Sequence, residues 1–145
     1  MAQFDAVQSS FEGKYFYNLW RPETAIRLGA TDGNDDTDGD AGWSILSAAR
    51  NTPPTPTYPS THAEAAGAVA EMLKLCFKRD NVPFTIGCYA LPGVERSFES
   101  FSQFASECSI SRIYIGYHFR NDVVQGEMMG RELARFVFSN NLRPL

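Results

Sequence analysis

Apolar and polar positions alternate with helical spacing over four stretches of the chain. Residues 3–20 carry Phe4, Val7, Phe11, Phe16 and Leu19 as a rough stripe, which predicts a helix with Lys14 and Arg21 toward its C-terminal end. Pro22 breaks that pattern. A polar loop follows, and a short helical turn is expected over 43–49. Four prolines make 51–59 (NTPPTPTYP) rigid and extended, because each fixes its own φ and restricts its predecessor. Ser60 and Thr61 then open the clearest helix, with Thr61 and Glu64 spaced as a capping box. Its apolar face is Ala65, Ala66, Ala68, Val69, Met72, Leu73 and Cys76. Residues 80–94 are mixed, and Phe84-Thr85-Ile86 fits a strand as well as a loop with short extended pieces. A helix over 97–108 carries Phe98, Phe101, Phe104 and Ala105 on one side. Residues 112–117 are short and apolar. The last helix spans about 120–138, where Gly126, Gly130 and Ala134 recur at every fourth position and leave a groove for close helix packing. These elements predict a mainly α fold, a helical bundle of four to five helices with long irregular connections.

At 145 residues the chain suits one domain. Such a length buries roughly 68–70% of the unfolded surface, enough for a real core. Hydrophobic residues make up 43%, which excludes a disordered chain, and a net charge of −4 excludes a nucleic-acid groove or a polybasic membrane face. Any anion site must therefore be a local concentration of positive charge. No apolar run is long enough for a membrane span, and the start, MAQFDAVQSSFEG, lacks the basic flank and apolar stretch of a signal peptide. A soluble protein is expected, with cytoplasm and export both open. Cys76, Cys88 and Cys108 match neither a zinc site nor a disulfide framework and read as buried free thiols. The run TDGNDDTDGD at 31–40 fits the first half of a calcium loop but places Ile45 where a bidentate Glu is needed, so it reads as a solvated acidic turn.

The chemistry lies in three clusters. Lys14 is followed six residues later by Arg21-Pro22. Pro59-Ser60-Thr61-His62 opens the central helix. Ser111-Arg112 precedes His118 and Asp122, and His62 and His118 are the chain's two histidines. Arg21 and Arg112 each offer a bidentate fork, Lys14 a point charge, and Ser60 a hydroxyl. The N-terminus of the helix at 60–61 adds backbone N–H groups and a positive dipole end. Together they suit a tetrahedral oxyanion, and two imidazoles remain for nucleophilic and acid–base work. Asp122, four residues after His118, could hold that ring's tautomer if the stretch is helical.

The segments KYFYNLWRP (14–22), PSTH (59–62) and SRIYIGYHFRND (111–122) resemble the three motifs of the vanadium-dependent haloperoxidase and type 2 phosphatidic-acid phosphatase superfamily. The wording between them, WRPETAIR, TDGN, RSFESFSQFASE and YHFRNDVVQGEMMGRELA, is similar to its soluble bacterial haloperoxidase-like branch, from about residue 10 to the C-terminus. The resemblance implies that Lys14, Arg21, Ser60 and Arg112, with the backbone N–H of Thr61, bind the equatorial oxygens of vanadate, or of phosphate in its place. It implies that His118 is the axial vanadium ligand or a phosphorylated nucleophile, that His62 is the acid–base at the opposite apical oxygen, and that Asp122 orients His118. The substrates would be hydrogen peroxide and a halide, left unspecified. An acid phosphatase acting on a phosphomonoester through a phosphohistidine is the alternative, and oxyanion binding without turnover is a third. Two departures stand out. Thr61 replaces the usual Gly, and the chain is short for the family. The second implies residues 1–145 as a single C-terminal, active-site domain whose partner is an N-terminal half, a companion chain or a second copy. Neither nucleic acid nor membrane is expected as a partner.

Overall fold

The computed structural model describes residues 1–47 and 51–141. It contains helices α1 (Ala2–Tyr17), α2 (Pro22–Leu28), α3 (Thr61–Phe77), α4 (Phe101–Tyr114) and α5 (Arg120–Asn140), and strands β1 (Phe84–Cys88) and β2 (Leu91–Phe98). The mainly α bundle expected from the sequence is the architecture found. Helix α3 is central and packs on α5, α4 and α1. The α3–α5 approach depends on missing side chains. A Cβ at Gly130 would overlap the Glu64 carbonyl, one at Gly67 the Glu127 carbonyl, and one at Gly126 would lie 2.7 Å from the Ser60 carbonyl oxygen. The glycine and alanine spacing of α5 therefore serves close packing. Ala2, Ala6, Ala68, Ala134 and Val137 fill the seam between α1, α3 and α5. Ala66, Ala70, Phe101 and Ala105 fill the seam between α3 and α4, with Phe84 and Phe104 against them.

Several expectations change. Helix α1 stops at Tyr17, because Asn18 takes a left-handed conformation and closes the turn onto the Lys14 carbonyl. Its buried face is Ala2, Ala6, Ser10 and Lys14, and the bulky stripe points outward, with Phe4 80% and Phe16 81% exposed. Small side chains at four-residue spacing let α1 lie close on α3, and this outweighs the larger hydrophobes. Phe4→Ser and Phe16→Ser are accordingly expected to change this chain's unfolding free energy by less than about 0.5 kcal/mol. Urea denaturation showing a loss of more than 2 kcal/mol would mean that the aromatic face is the buried one.

Pro22 starts a helix rather than ending one. It occupies the first helical position after an extended Arg21, where its missing N–H costs nothing. Residues 43–45 are irregular and 46–47 form a bend, not a helical turn, and 48–49 lie outside the described residues. The mixed 80–94 stretch becomes an antiparallel hairpin pairing Phe84 with Phe98 and Thr85 with Ser97. Phe98 thus belongs to β2, and α4 begins at Phe101, where Ser100 caps it by accepting from the Gln103 N–H at 3.0 Å. The helix runs on through Arg112. Cys76 and Cys88 are exposed and Cys108 is half-buried, all three as free thiols, so the buried-thiol expectation fails for two of them. Their places on the outer end of α3 and at the hairpin tip explain this. The 31–40 run is a turn in which Asp32 and Asn34 side chains accept backbone N–H groups two residues on.

Candidate active site

Six of the eight residues singled out by sequence line one open pocket of about 240 Å³: Lys14, Arg21, Thr61, His62, Arg112 and His118. Phe11, Pro53 and Thr55 complete its wall. Ser60 and Asp122 sit behind it, both buried, and are tied together by the Ser60 N–H donating to the Asp122 carbonyl at 3.0 Å. Six pieces of backbone therefore converge: the end of α1, the start of α2, the proline loop before α3, the start of α3, the last turn of α4 and the α4–α5 turn.

The start of α3 differs from the expected capping box. Ser60 is the N-cap, and its hydroxyl accepts from the Ala63 N–H at 3.5 Å. Thr61 instead meets Ser10 of α1, with 2.9 Å between the hydroxyl oxygens. Glu64 is one residue too far along for the reciprocal bond, and its carboxylate turns into the protein.

His118 is buried at 5% exposure and fixed on both ring nitrogens. Its Nδ1 lies 3.3 Å from Asp122 Oδ2 and 3.2 Å from the Thr57 hydroxyl. Nε2 lies 3.2 Å from Arg21 Nη1. Asp122 Oδ2 also accepts from Thr57 Oγ1 at 2.5 Å and from the Phe119 N–H at 3.0 Å. The His118–Asp122 link does not run along a helix face. His118 precedes α5, and Asp122, in the helix's first turn, reaches back as its cap. Burial lowers the His118 pKa to about 4, with the Arg21 and Lys14 charges adding to it against the opposing pull of Asp122. The ring is thus neutral at pH 7. An Nδ1–H donated to Asp122 leaves the Nε2 lone pair facing Arg21 and the pocket. For Asp122, burial alone would raise the pKa; bonds from His118, Thr57 and Phe119 outweigh it and hold the group ionised.

Three cations line the pocket that this nitrogen faces. The Lys14 ammonium gives hydrogen bonds to the carbonyls of Pro56, Thr57 and Pro59 at 2.7–3.0 Å, so it supplies charge while shaping the loop before α3. Burial, then the Arg21 charge, lowers its pKa to about 8. Arg21 is held by the Thr55 carbonyl at 2.9 Å, the Thr55 hydroxyl at 3.1 Å and the Tyr117 carbonyl at 3.0 Å. Arg112 lies over the Tyr117 ring at 5.0 Å, and its Nε is buried without a hydrogen-bond partner. A buried orphan N–H on a guanidinium is costly unless an acceptor fills the space before it. The exposed His62 ring stands at the pocket edge, its pKa lowered by partial desolvation and then by Arg112, Lys14 and Arg21.

Among the described residues no group of three or more His, Cys, Asp or Glu side chains could hold a bare metal ion. The donor set instead fits an oxyanion, with one free imidazole nitrogen available to its central atom. Thr55 and Thr57, inside the proline run, were not singled out from the sequence. Their i, i+2 spacing in extended backbone, which puts both on one side, was the available signal. Thr57→Val removes a partner behind the His118 ring and is expected to weaken oxyanion binding in the pocket about 10–100-fold. The loss should also depend on pH at the acid end, whereas a packing defect alone would lower affinity evenly across pH.

The model of the VCPO second helical-bundle domain matches residues 1–144. The chain belongs to this family. A member of the VCPO second helical-bundle family is similar to the vanadium chloroperoxidase of Curvularia inaequalis at 30% identity over 161 aligned positions, covering 81% of this chain and 26% of that protein. Among solved structures, the first bacterial vanadium-dependent iodoperoxidase aligns with a TM-score of 0.81 and 37% identity over 95% of this chain and 31% of the other. A holo-type bacterial vanadium-dependent chloroperoxidase has the same fold, with a TM-score of 0.73 and 21% identity over 95% of this chain and 33% of the other. This family member thus spans about a quarter to a third of the length of these relatives.

Proposed function

We propose that this chain carries the catalytic site of a vanadate-dependent haloperoxidase, which oxidises halide with hydrogen peroxide. The reading rests on one observation: a neutral His118, tied at Nδ1, turns Nε2 into a pocket lined by Lys14, Arg21 and Arg112. His118 Nε2 would ligate vanadium, and Arg21, Arg112, Ser60 and the Thr61 N–H would hold the oxygens, the unpaired Arg112 Nε first among them, while Lys14, its hydrogen bonds spent on carbonyls, would contribute charge. When bound, vanadate supplies Lewis-acid activation of peroxide without changing oxidation state. The protein's own residues do the rest. The three cations balance the anion, Asp122 and Thr57 keep the imidazole in one tautomer, and His62, neutral at pH 7, accepts and returns a proton at the pocket mouth. Removing one such preorganised donor commonly costs about 2.7–4 kcal/mol of transition-state stabilisation.

Iodide is the first halide to try, because it gives up electrons most readily and the relative at 37% identity is an iodoperoxidase. The outward aromatic face of α1, together with the greater length of the relatives, supports a further polypeptide over that face, as an N-terminal half, a companion chain or a second copy. No helix among the described residues is long and apolar enough to cross a membrane.

The test is vanadium retained after incubation with orthovanadate and desalting, with peroxide-dependent oxidation of iodide and bromide. Retained vanadium and halide turnover are expected. Loss of all vanadium on desalting together with no halide turnover would end the proposal. Hydrolysis of a phosphomonoester with a trapped phosphohistidine at His118, and no halide oxidation, would replace it with the phosphatase reading.

A further inference from the structure

Glu64 has no part in the reaction as derived, yet it occupies an unusual place. It is fully buried, and neither carboxyl oxygen has a hydrogen bond of normal geometry; the Ser9 hydroxyl of α1 approaches only as a weak donor. It stands one turn beyond the N-cap of α3, its N–H bonded to the Ser60 carbonyl at 2.9 Å, so it shares the side of the helix that carries Ser60. From α1, Ser9 and Lys14 act on it. From the loop before α3, Tyr58 feels its charge. Asp122 of α5 stands across Lys14 and acts on the same ammonium. Helix α5 brings the Gly130 backbone against this turn, and α4 packs on the Ala66–Ala70 side. The Lys14 ammonium spends its hydrogen bonds on carbonyls, so it reaches Glu64 through charge alone.

We propose that Glu64 is a buried proton switch on the oxyanion pocket: protonated, it leaves the Lys14 charge unopposed, and ionised, it offsets that charge and loosens the hold on a tetrahedral anion. Its proton exchanges with bulk water. Burial raises its pKa to about 7, with Ser9 and Lys14 only partly opposing, so the switch works across neutral pH. The sign follows from linkage. An anion in the pocket disfavours a second negative charge nearby, so anion binding must raise the Glu64 pKa, and loss of the proton must weaken binding by the same factor.

This inference rests on the pocket being an oxyanion site, and sulfate, a dianion throughout pH 5–9, probes both. The carboxyl resonance of Glu64 is followed by 13C NMR in the full chain, assigned by its loss in Glu64→Gln, or by its displacement in Glu64→Asp should the first variant not fold. A midpoint near 7 is expected without sulfate. Saturating sulfate should raise it by at least half a unit, equivalent to about a threefold weaker hold on the ionised form. A midpoint below 5, or one that bound sulfate leaves unmoved, overturns the switch alone. No sulfate binding at pH 6 overturns the pocket reading, and the switch with it.

Discussion

With the haloperoxidase site proposed for this chain, His118→Ala is expected to lower halide-oxidising kcat/KM by at least about a thousandfold while leaving the chain folded. The geometry sets the size of this effect. His118 offers a lone pair held in a fixed direction by the Nδ1 bond to Asp122, whereas His62 stands exposed at the pocket edge, Arg21 and Arg112 only donate, and the Lys14 ammonium is occupied by carbonyls. Vanadium retention should fall with activity, because the lost bond is to the central atom. A second readout separates this from general damage. Burial lowers the imidazole pKa in the folded chain from 6.5 to about 4. The unfolded chain therefore binds more protons between those values, and wild-type stability falls as pH drops from about 6.5 to 4. The loss attributable to this group is about 3 kcal/mol. Urea titrations of His118→Ala at pH 7 and pH 4 should show that share of the acid loss removed. A variant that keeps its vanadium and a tenth of its activity would show that another residue is the ligand.

How far the sequence carried this site differs from residue to residue, for physical reasons. The cations and histidines were legible because their chemistry is rare in an acidic chain and their spacings repeat a known pattern. Thr57 was not, because a hydroxyl among prolines has no signature until the fold sets it against Asp122. The α5 helix was readable from its glycines, since only close packing explains small residues at every fourth position. The α1 helix misled for the related reason that Ala2, Ala6 and Ser10 bury better against a near neighbour than Phe4 or Phe16 would. Glu64 matched the spacing of a cap but stood one residue off the true N-cap, and no local rule places a carboxylate in the interior without a hydrogen bond of normal geometry. The hairpin was half visible, in Phe84-Thr85-Ile86. Its second strand was read partly as helix because Phe98 has the right spacing to continue the aromatic side of α4.

Gly130→Ala tests the packing on which the pocket depends. A methyl there would overlap the Glu64 carbonyl and press on the Ala68 N–H at 2.9 Å, and both neighbours are backbone atoms of α3 that cannot rotate away. Alanine favours a helix interior over glycine by about 1 kcal/mol, so a site with room would gain stability. Overpacking typically costs about 1–3 kcal/mol and more against rigid backbone, so a net loss of at least about 2 kcal/mol is expected in urea denaturation. Gly87→Ala on the hairpin is the control. Its nearest neighbour would be the Val94 carbonyl oxygen at 3.8 Å, an ordinary contact, so its change should be much smaller. The consequence extends to chemistry. Parting α3 from α5 stretches the Ser60 N–H bond to the Asp122 carbonyl, which joins the pocket end of α3 to the residue hydrogen-bonded to His118. Oxyanion affinity should therefore fall in Gly130→Ala even at temperatures where the variant stays folded. Stability equal to or above wild type would mean that the two helices stand farther apart than this fold places them.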